Sequence, residues 1–598
     1  MGVKASIIMD PLAVLKHARQ LVNSDPEAAA KQARRLLESH PGDPAVLRVV
    51  GAALRKLGKT TEAAKFENEA VQASIRSPAH REAARAVATG DKMRAVAILE
   101  AIISRDETDV VALVMLGLQL STDNEFELAD ALLRKAVEFA PDDVAARMAL
   151  SEHLQRSRHA SEALAVLDKL QPKAAQSANV QSLRASILRD LGRQEEEVAI
   201  LERLGASQGQ PETYGIRLGH AYRNLGRTEK AVASYRAVIA RAPIDGTAWW
   251  SLANLKSVKF SDEDIATMEG ALALPGAAGI NGIRLHFALG KAFEDRKDVE
   301  RSFQHYDAGN RLKNASTTYN PKRIETWVAE AEADYDEKFL DPGGNPSSAT
   351  GPIFVIGIQR SGSTLVEQIL DSHPQIEGTA ELTEIPSIIR QQGDIAHRRE
   401  ISFNEHLRRM GDDELRALAD SYLDRTRVYR LTDKPHFTDK MPNNWIYAGV
   451  IRKILPNARI VDVRRHPLDC CFSNWKQLYG RGLEHCYSME NMGRYYADYV
   501  RLLQLMDRVQ PGKVHRVIYE RLVDDTEGEV RRLLDYLGLP FDEACLNFHS
   551  NERSVRTISA EQVRQPINRR GIGQWKPYEK WLGPMKEALG TALDDWDK

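Results

Sequence analysis

From about Asp10 to Asn314 the apolar positions recur at helical spacing, in a background rich in Ala, Leu, Arg and Glu and without strand-like alternation. The pattern predicts helix after helix. A small residue, usually after Leu, returns every 34 residues, at Gly117, Ser151, Ala185, Gly219 and Ala253. In most of these units an alanine stands twelve positions further on, as at Ala129, Ala163 and Ala231, and Ala63 bears the same relation to Gly51. Small residues at these two places let paired helices approach closely, while Leu113, Leu116, Leu120, Leu218 and Tyr222 fill the stack. Gly58, Gly192 and Gly226 fall at helix turns, and Pro141 and Pro243 close units. Gly290 suggests one last, looser unit holding Phe287, Phe293, Phe303 and Tyr306.

After residue 350 the pattern changes. Ile353 to Ile356 form an apolar run short enough for a buried strand, which ends in a glycine turn and a helical pattern from Ser363 to Ser372. A second β-run ends at the paired Arg464 and Arg465, followed by Pro467 and a helix, and a third strand-to-loop transition lies at Val517 to Val523. Gly343 to Thr350 is loop-rich and marks a boundary. The expected organisation is multidomain, α and α/β. A helical solenoid over 1–320 and a linker over 321–350 precede a P-loop-like three-layer α/β domain with a mostly parallel sheet over 351–598.

Composition narrows the partners. Lys+Arg 82 against Asp+Glu 84 gives a net charge of −2, so no global field recruits nucleic acid or an anionic membrane, and any anion site must be local. No apolar window is long enough for a membrane span. Cys470, Cys471, Cys486 and Cys545 suit neither a disulfide framework nor a zinc knuckle, which points to a reducing cytoplasm.

The turn Gly357-Ile-Gln-Arg360-Ser361-Gly362-Ser363-Thr364 has the Walker spacing, except that Ser363 stands where that loop carries lysine. Backbone N–H groups of such a turn and of the helix behind it make an anion pocket. Without the lysine a triphosphate is disfavoured, and Arg360 becomes the fixed cation. Glu381, 21 residues after Arg360, can return to the mouth of the loop as a general base, although a lone glutamate is more often a cap or a solvated face. Lys440, in the polar stretch Thr438 to Asn444, can point into the same cavity. Arg465 and Ser473, around a strand's C-terminal end, suit a second phosphate. Tyr519 is placed to pack near a base, and Ser559 to Lys576, with Asn568 and Arg569, is a basic loop able to fold over a nucleotide.

Two resemblances follow. The first half resembles a tetratricopeptide-repeat superhelix of about eight units. It implies a concave surface for a peptide or protein; an array that only stabilises the enzyme or makes it a homodimer is the less favoured reading. Arg360-Ser-Gly-Ser-Thr364, Arg465 with Ser473, Tyr519-Glu520 and Arg569-Arg-Gly-Ile-Gly-Gln-Trp575 together resemble sulfotransferases that use 3′-phosphoadenosine 5′-phosphosulfate (PAPS), over about 350–585. The likeness is to tyrosylprotein sulfotransferases and to bacterial enzymes with N-terminal repeats. It implies that Arg360, Ser361, Gly362, Ser363 and Thr364 hold the 5′-phosphosulfate, and that Arg465 and Ser473 hold the 3′-phosphate. Tyr519, Asn568 and Arg569 would close on the nucleotide. It further implies Glu381 as base, with Lys440 and Ser559 stabilising the reacting sulfuryl group and no metal needed. Thr383 stands where that branch has an acceptor-binding arginine, and Gln574 replaces a basic nucleotide contact. The first departure bears on tyrosine as the acceptor more than on the reaction; the repeats favour a hydroxyl on a peptide or protein, tyrosine included, held partly by the array, with a glycan, lipid or small metabolite still open. A P-loop nucleotide kinase or NTPase, and a peptide-binding scaffold with an inactive enzyme domain, are the alternatives.

Overall fold

The computed structural model describes residues 10–598 apart from 124, 209, 210, 256, 342–350, 481 and 552–562. The chain divides into two compact units, 1–242 and 243–598.

The first unit is a succession of helical hairpins, and the 34-residue period is visible in its packing. A Cβ on Gly117 would lie 2.6 Å from Leu133, sixteen residues on in the partner helix, so only a hydrogen fits at the crossing. Ala63, Ala129, Ala163 and Ala231 are completely buried. Helix starts follow the same period: Asp109 accepts from the Ala112 N–H and Asp143 from the Ala146 N–H, satisfying first-turn donors. Gly58 closes the helix Pro44–Lys56 at φ 74°, a left-handed conformation that spares glycine the Cβ penalty.

The second unit begins with helices that continue the repeat pattern. Ile280–Asp295 and Val299–Ala315 pair across Gly290, whose Cβ would meet Tyr306 at 2.7 Å. The expected end of the solenoid at 320 and the division at 242/243 thus differ, because these last helices share a core with the α/β domain: Phe287 and Tyr306 belong to the same buried cluster as Trp475 and Leu582. Within the stretch read as a linker lies the helix Lys322–Asp334, with Val328 and Ala331 buried. The loop-rich boundary at 343–350 is outside the described residues.

Among the described residues the sheet has five strands, β1 (Pro352–Gly357), β2 (Ile376–Gly378), β3 (His436–Asp439), β4 (Arg459–Arg464) and β5 (Val514–Ile518), in the order β2-β3-β1-β4-β5. Every described pairing is parallel. β2 and β3 are too short to give a period-2 signal and were not foreseen in the sequence. Side chains of β1 alternate between two cores: Ile353 and Val355 pack with the helices Ser363–Asp371 and Thr526–Leu537, while Phe354 and Ile356 pack on the opposite face with Tyr422, Trp445 and Tyr499. That alternation produces the three layers. β2 and β3 lie to one side of β1, β4 and β5 to the other, so the chain reverses its direction of travel at β1. Open α/β sheets bind ligands at such a switch point, outside the carboxyl ends of the strands.

Candidate active site

Every strand delivers a candidate residue within a few positions of its carboxyl end: Glu381 after β2, Lys440 after β3, Arg360 after β1, Arg465 after β4 and Tyr519 after β5. A parallel sheet places these ends along one edge, so residues spread over 160 positions of sequence line that edge.

The loop after β1 is tightly determined. Gly357 has φ 143°, and a Cβ there would press on the Val463 carbonyl of the neighbouring strand. Gly362, at φ 107°, caps the helix Ser363–Asp371, and a Cβ on it would lie 2.8 Å from the Tyr519 ring. Between them Arg360 has φ 69°, which costs a non-glycine residue about 1–2 kcal/mol. Strain of this kind persists only where the surroundings enforce it. Within the turn the Ser361 N–H donates to the Ile358 carbonyl at 3.1 Å, and a glycine turn running into a helix start is a setting in which backbone N–H groups bind anions. Ser361 Oγ is buried and has no hydrogen-bond partner among the described residues. Ser363 and Thr364 are also buried, in the first turn of the helix.

The Arg360 guanidinium donates from Nε to Ser473 Oγ at 3.1 Å, and its carbonyl accepts from Arg465 at 2.9 Å. Burial pushes the Arg360 guanidinium below its ordinary value; Tyr479 opposes this and Arg465 adds to it. A cation in that position is stabilised by an added negative charge. Arg465 is buried, lies 5.2 Å over the Tyr519 ring, and also donates to the Gly571 carbonyl, while its Nε has no partner among the described residues. Arg360, Ser473, Arg465 and Tyr519 therefore form one cluster. Two sites of opposite expected duty, the 5′ and 3′ sides, touch each other through Arg360 and Ser473.

Glu381 and Lys440 also meet. Lys440 Nζ donates to Glu381 Oε1 at 2.5 Å, the lysine side chain 2% exposed and the carboxylate 50%. The two peptide segments are joined by Lys440 N–H donating to the Ala380 carbonyl at 3.2 Å. Directly before Lys440, Asp439 is buried and accepts from Tyr422 Oη at 3.0 Å; burial holds its carboxyl well above the usual carboxylate range.

The remaining candidates are less concentrated. Asn568 caps a short turn by accepting from the Arg570 N–H at 3.2 Å, and Arg569 is exposed and paired with Asp524 at 2.8 Å. Ser559 lies outside the described residues. Thr383 is exposed before the helix Glu384–Arg398.

Several contributors escaped the sequence reading. Asp469, on the first turn of the helix Pro467–Trp475, accepts from the Gly573 N–H at 2.7 Å and the Gln574 N–H at 2.8 Å, tying the tail loop to the helix that carries Ser473. A carboxylate in the first turn of a helix is ordinary, so nothing in the sequence marks these bonds. Asn474 donates to the Gln359 carbonyl at 2.7 Å and accepts from Tyr479 Oη at 2.7 Å, bracing the anion loop from behind. Cys470 donates to that same carbonyl, and burial pushes its thiol up to about 12, which removes it as a nucleophile near neutrality. Among the described residues no group of three His, Cys, Asp or Glu side chains is placed to hold a metal ion, and no helix is long and apolar enough to cross a membrane.

Residues 352–543 match the family model described as Sulfotransferase family, and residues 19–78, 120–187 and 216–255 match models described as Tetratricopeptide repeat. An uncharacterized protein of Aquifex aeolicus is 29% identical over 350 residues, covering 56% of this chain and 45% of that one, so the alignment spans under half of that relative. A putative protein-tyrosine sulfotransferase of Caenorhabditis briggsae is 24% identical over 229 residues, 37% of this chain and 80% of that one. Protein-tyrosine sulfotransferase A of Caenorhabditis elegans is 24% identical over 264 residues, 42% and 66% of the two chains. Among solved structures, the sulfotransferase domain from the curacin biosynthetic pathway aligns at 18% identity with a TM-score of 0.32, over 42% of this chain and 99% of that domain.

Proposed function

We propose that this chain, a sulfotransferase-family domain carried behind tetratricopeptide repeats, moves the sulfuryl group of PAPS to an acceptor hydroxyl on a peptide or protein. The observation that carries the reading is the strained loop after β1 with Arg360, Ser473 and Arg465 gathered beside it, two candidate anion positions in contact at the switch point of the sheet. A donor with phosphate on both its 5′ and 3′ positions needs two such positions. Ser361 Oγ and Arg465 Nε, buried and without hydrogen-bond partners among the described residues, fit polar contacts to it. Ser363 in place of the Walker lysine counts against a triphosphate.

In this reading the donor supplies an activated sulfuryl group bonded to a phosphate oxygen. Glu381 accepts the proton of the acceptor hydroxyl as the new oxygen–sulfur bond forms and the old one breaks, giving a sulfate ester and adenosine 3′,5′-bisphosphate. Lys440, held by Glu381, and Arg360 stabilise the charge that grows on the departing phosphate, and the N–H groups of the loop do the same from a fixed position. Tyr519 walls the nucleotide side, and Asn568, Arg569 and Ser559 belong to the segment that would cover it. The repeats offer the acceptor an extended surface. The likeness to protein-tyrosine sulfotransferases supports a peptide acceptor, and Thr383, where an arginine would help bind tyrosine substrates, leaves the choice of hydroxyl to experiment.

Calorimetry on the full chain tests the donor. Adenosine 3′,5′-bisphosphate should bind without added metal, Arg465→Ala should weaken it by at least tenfold, and magnesium-ATP should not compete. Tight, magnesium-dependent ATP binding with none for the bisphosphate would replace this reading by a nucleotide kinase.

A further inference from the structure

We propose that Lys476 is a positioning residue through which the last repeat hairpin sets the affinity of the donor pocket. The inference rests on the donor reading above.

Lys476 follows the helix Pro467–Trp475, which carries Asp469 and Ser473. Its ammonium pairs with Glu294 at 2.6 Å, on the repeat helix Ile280–Asp295, and lies 3.4 Å from Gln574 Oε1 in the tail loop. Glu294 is held from its other oxygen by Tyr306 Oη at 2.9 Å, so the repeat side of the contact is fixed. Gln574 in turn donates to the Arg570 carbonyl at 2.8 Å. Through Asp469, which holds the Gly573 and Gln574 amides, and through the Gly571 carbonyl, which accepts from Arg465, the tail loop is continuous with the second anion position.

The hairpin grips these same elements elsewhere. Asn310 Nδ2 donates to the Trp475 carbonyl at 2.9 Å, and Ser302 Oγ and Tyr578 Oη share a hydrogen bond of 2.9 Å. Phe303 is stacked between Trp475, at 5.4 Å, and Trp581, at 4.5 Å. These aromatic contacts fix the approach of the hairpin. Lys476 differs from them in being the one side chain among the described residues that bonds both the repeat carboxylate and the tail-loop amide. Without its charge the loop keeps its backbone bonds to Asp469 but loses its outer tether. More of the ordering then falls on the binding step, which lowers apparent affinity.

The test uses the full chain and reads two quantities. Adenosine 3′,5′-bisphosphate is titrated into the wild type, Lys476→Met, Lys476→Arg, Glu294→Gln and the Lys476→Met/Glu294→Gln double variant. Amide exchange at Gly573 and Gln574 is followed without ligand. Lys476→Met and Glu294→Gln should each weaken binding about three- to tenfold, with the double variant no weaker than the worse single one. Lys476→Arg should lie within about twofold of the wild type, and both amides should exchange faster in Lys476→Met. A merely structural role would not produce rescue by arginine together with local exchange. Unchanged affinity and unchanged exchange in Lys476→Met and Glu294→Gln overturn the proposal. If the wild type itself fails to bind the bisphosphate, the donor reading falls, and the exchange rates alone decide whether Lys476 tethers the loop.

Discussion

Glu381→Gln and Lys440→Met remove opposite ends of one ion pair, and the burial of the two ends makes the consequences for stability unequal. The Lys440 side chain is 2% exposed and that of Glu381 50% exposed, at a separation of 2.5 Å. Breaking a fully buried pair by removing one partner costs about 3–5 kcal/mol, whereas an exposed pair contributes about 0–1 kcal/mol. Glu381→Gln leaves a buried ammonium facing a neutral amide oxygen that water can still approach, which places its cost between those limits, at about 1–2 kcal/mol. Lys440→Met leaves a carboxylate already open to solvent and puts an apolar chain of similar length into the buried position, at about 0–1 kcal/mol. At about 2–4 °C per kcal/mol for a unit of this size, Glu381→Gln should lower Tm by about 2–8 °C and Lys440→Met by less than about 4 °C. Turnover should respond differently. On the proposed mechanism both variants should lose about 10²–10⁴-fold in kcat, since one would remove the proton acceptor and the other the cation beside the leaving phosphate. Scanning calorimetry and release of adenosine 3′,5′-bisphosphate measure the two effects. A Lys440→Met variant less stable than Glu381→Gln would refute the burial argument, and a Glu381→Gln enzyme retaining more than about a tenth of its turnover would remove Glu381 as the base.

Two further outcomes follow from the loop and from a buried imidazole. Gly362→Ala places a Cβ 2.8 Å from Tyr519 at φ 107°, so it should cost about 1–3 kcal/mol and weaken bisphosphate binding more than it lowers Tm; unchanged affinity would show that the loop does not contact the nucleotide. His485 is buried and stacked at 3.8 Å on Tyr495, and burial lowers its pKa to about 3. Above the ordinary imidazole value both folded and unfolded forms are neutral and stability is complete. As pH falls from about 6.5 toward 3 the unfolded chain takes up a proton that the folded chain refuses, costing up to about 1.4 kcal/mol per pH unit. Tm of His485→Phe should therefore fall less steeply than that of the wild type between pH 6 and 4, and parallel slopes would contradict the assignment.

The parts of this molecule that were legible in the sequence are those whose physics is local or periodic. The 34-residue spacing announced the helix crossings, because a glycine such as Gly117 is demanded wherever Leu133 leaves no room for a Cβ. β1 and its loop were visible because a buried strand, a glycine turn and a helix start follow one another directly. β2 and β3 were not: their few residues carry no alternation, and pairing holds them in the sheet, β3 on the edge of β1 and β2 on the edge of β3. The meeting of Glu381 with Lys440 was foreseen only as a shared cavity, since sheet order rather than sequence distance joins them. Asp469 was passed over because its partners are backbone amides 104 and 105 residues away, which no side-chain motif announces. The packing of Phe303 between Trp475 and Trp581 likewise depends on tertiary contact, and it carries the last repeat helices into the core of the second unit.

The proposed reaction is group transfer from a phosphosulfate donor at the carboxyl edge of the sheet. Incubating the full chain with PAPS labelled in its sulfuryl group and with fractionated cell protein tests it most directly, with Glu381→Gln and Arg465→Ala as controls. Label should appear in an acid-stable or acid-labile sulfate ester of a protein fraction, adenosine 3′,5′-bisphosphate should be released in equal amount, and both should be lost in the two variants. Bisphosphate release without labelled acceptor in any fraction, or labelling that survives both substitutions, would contradict it.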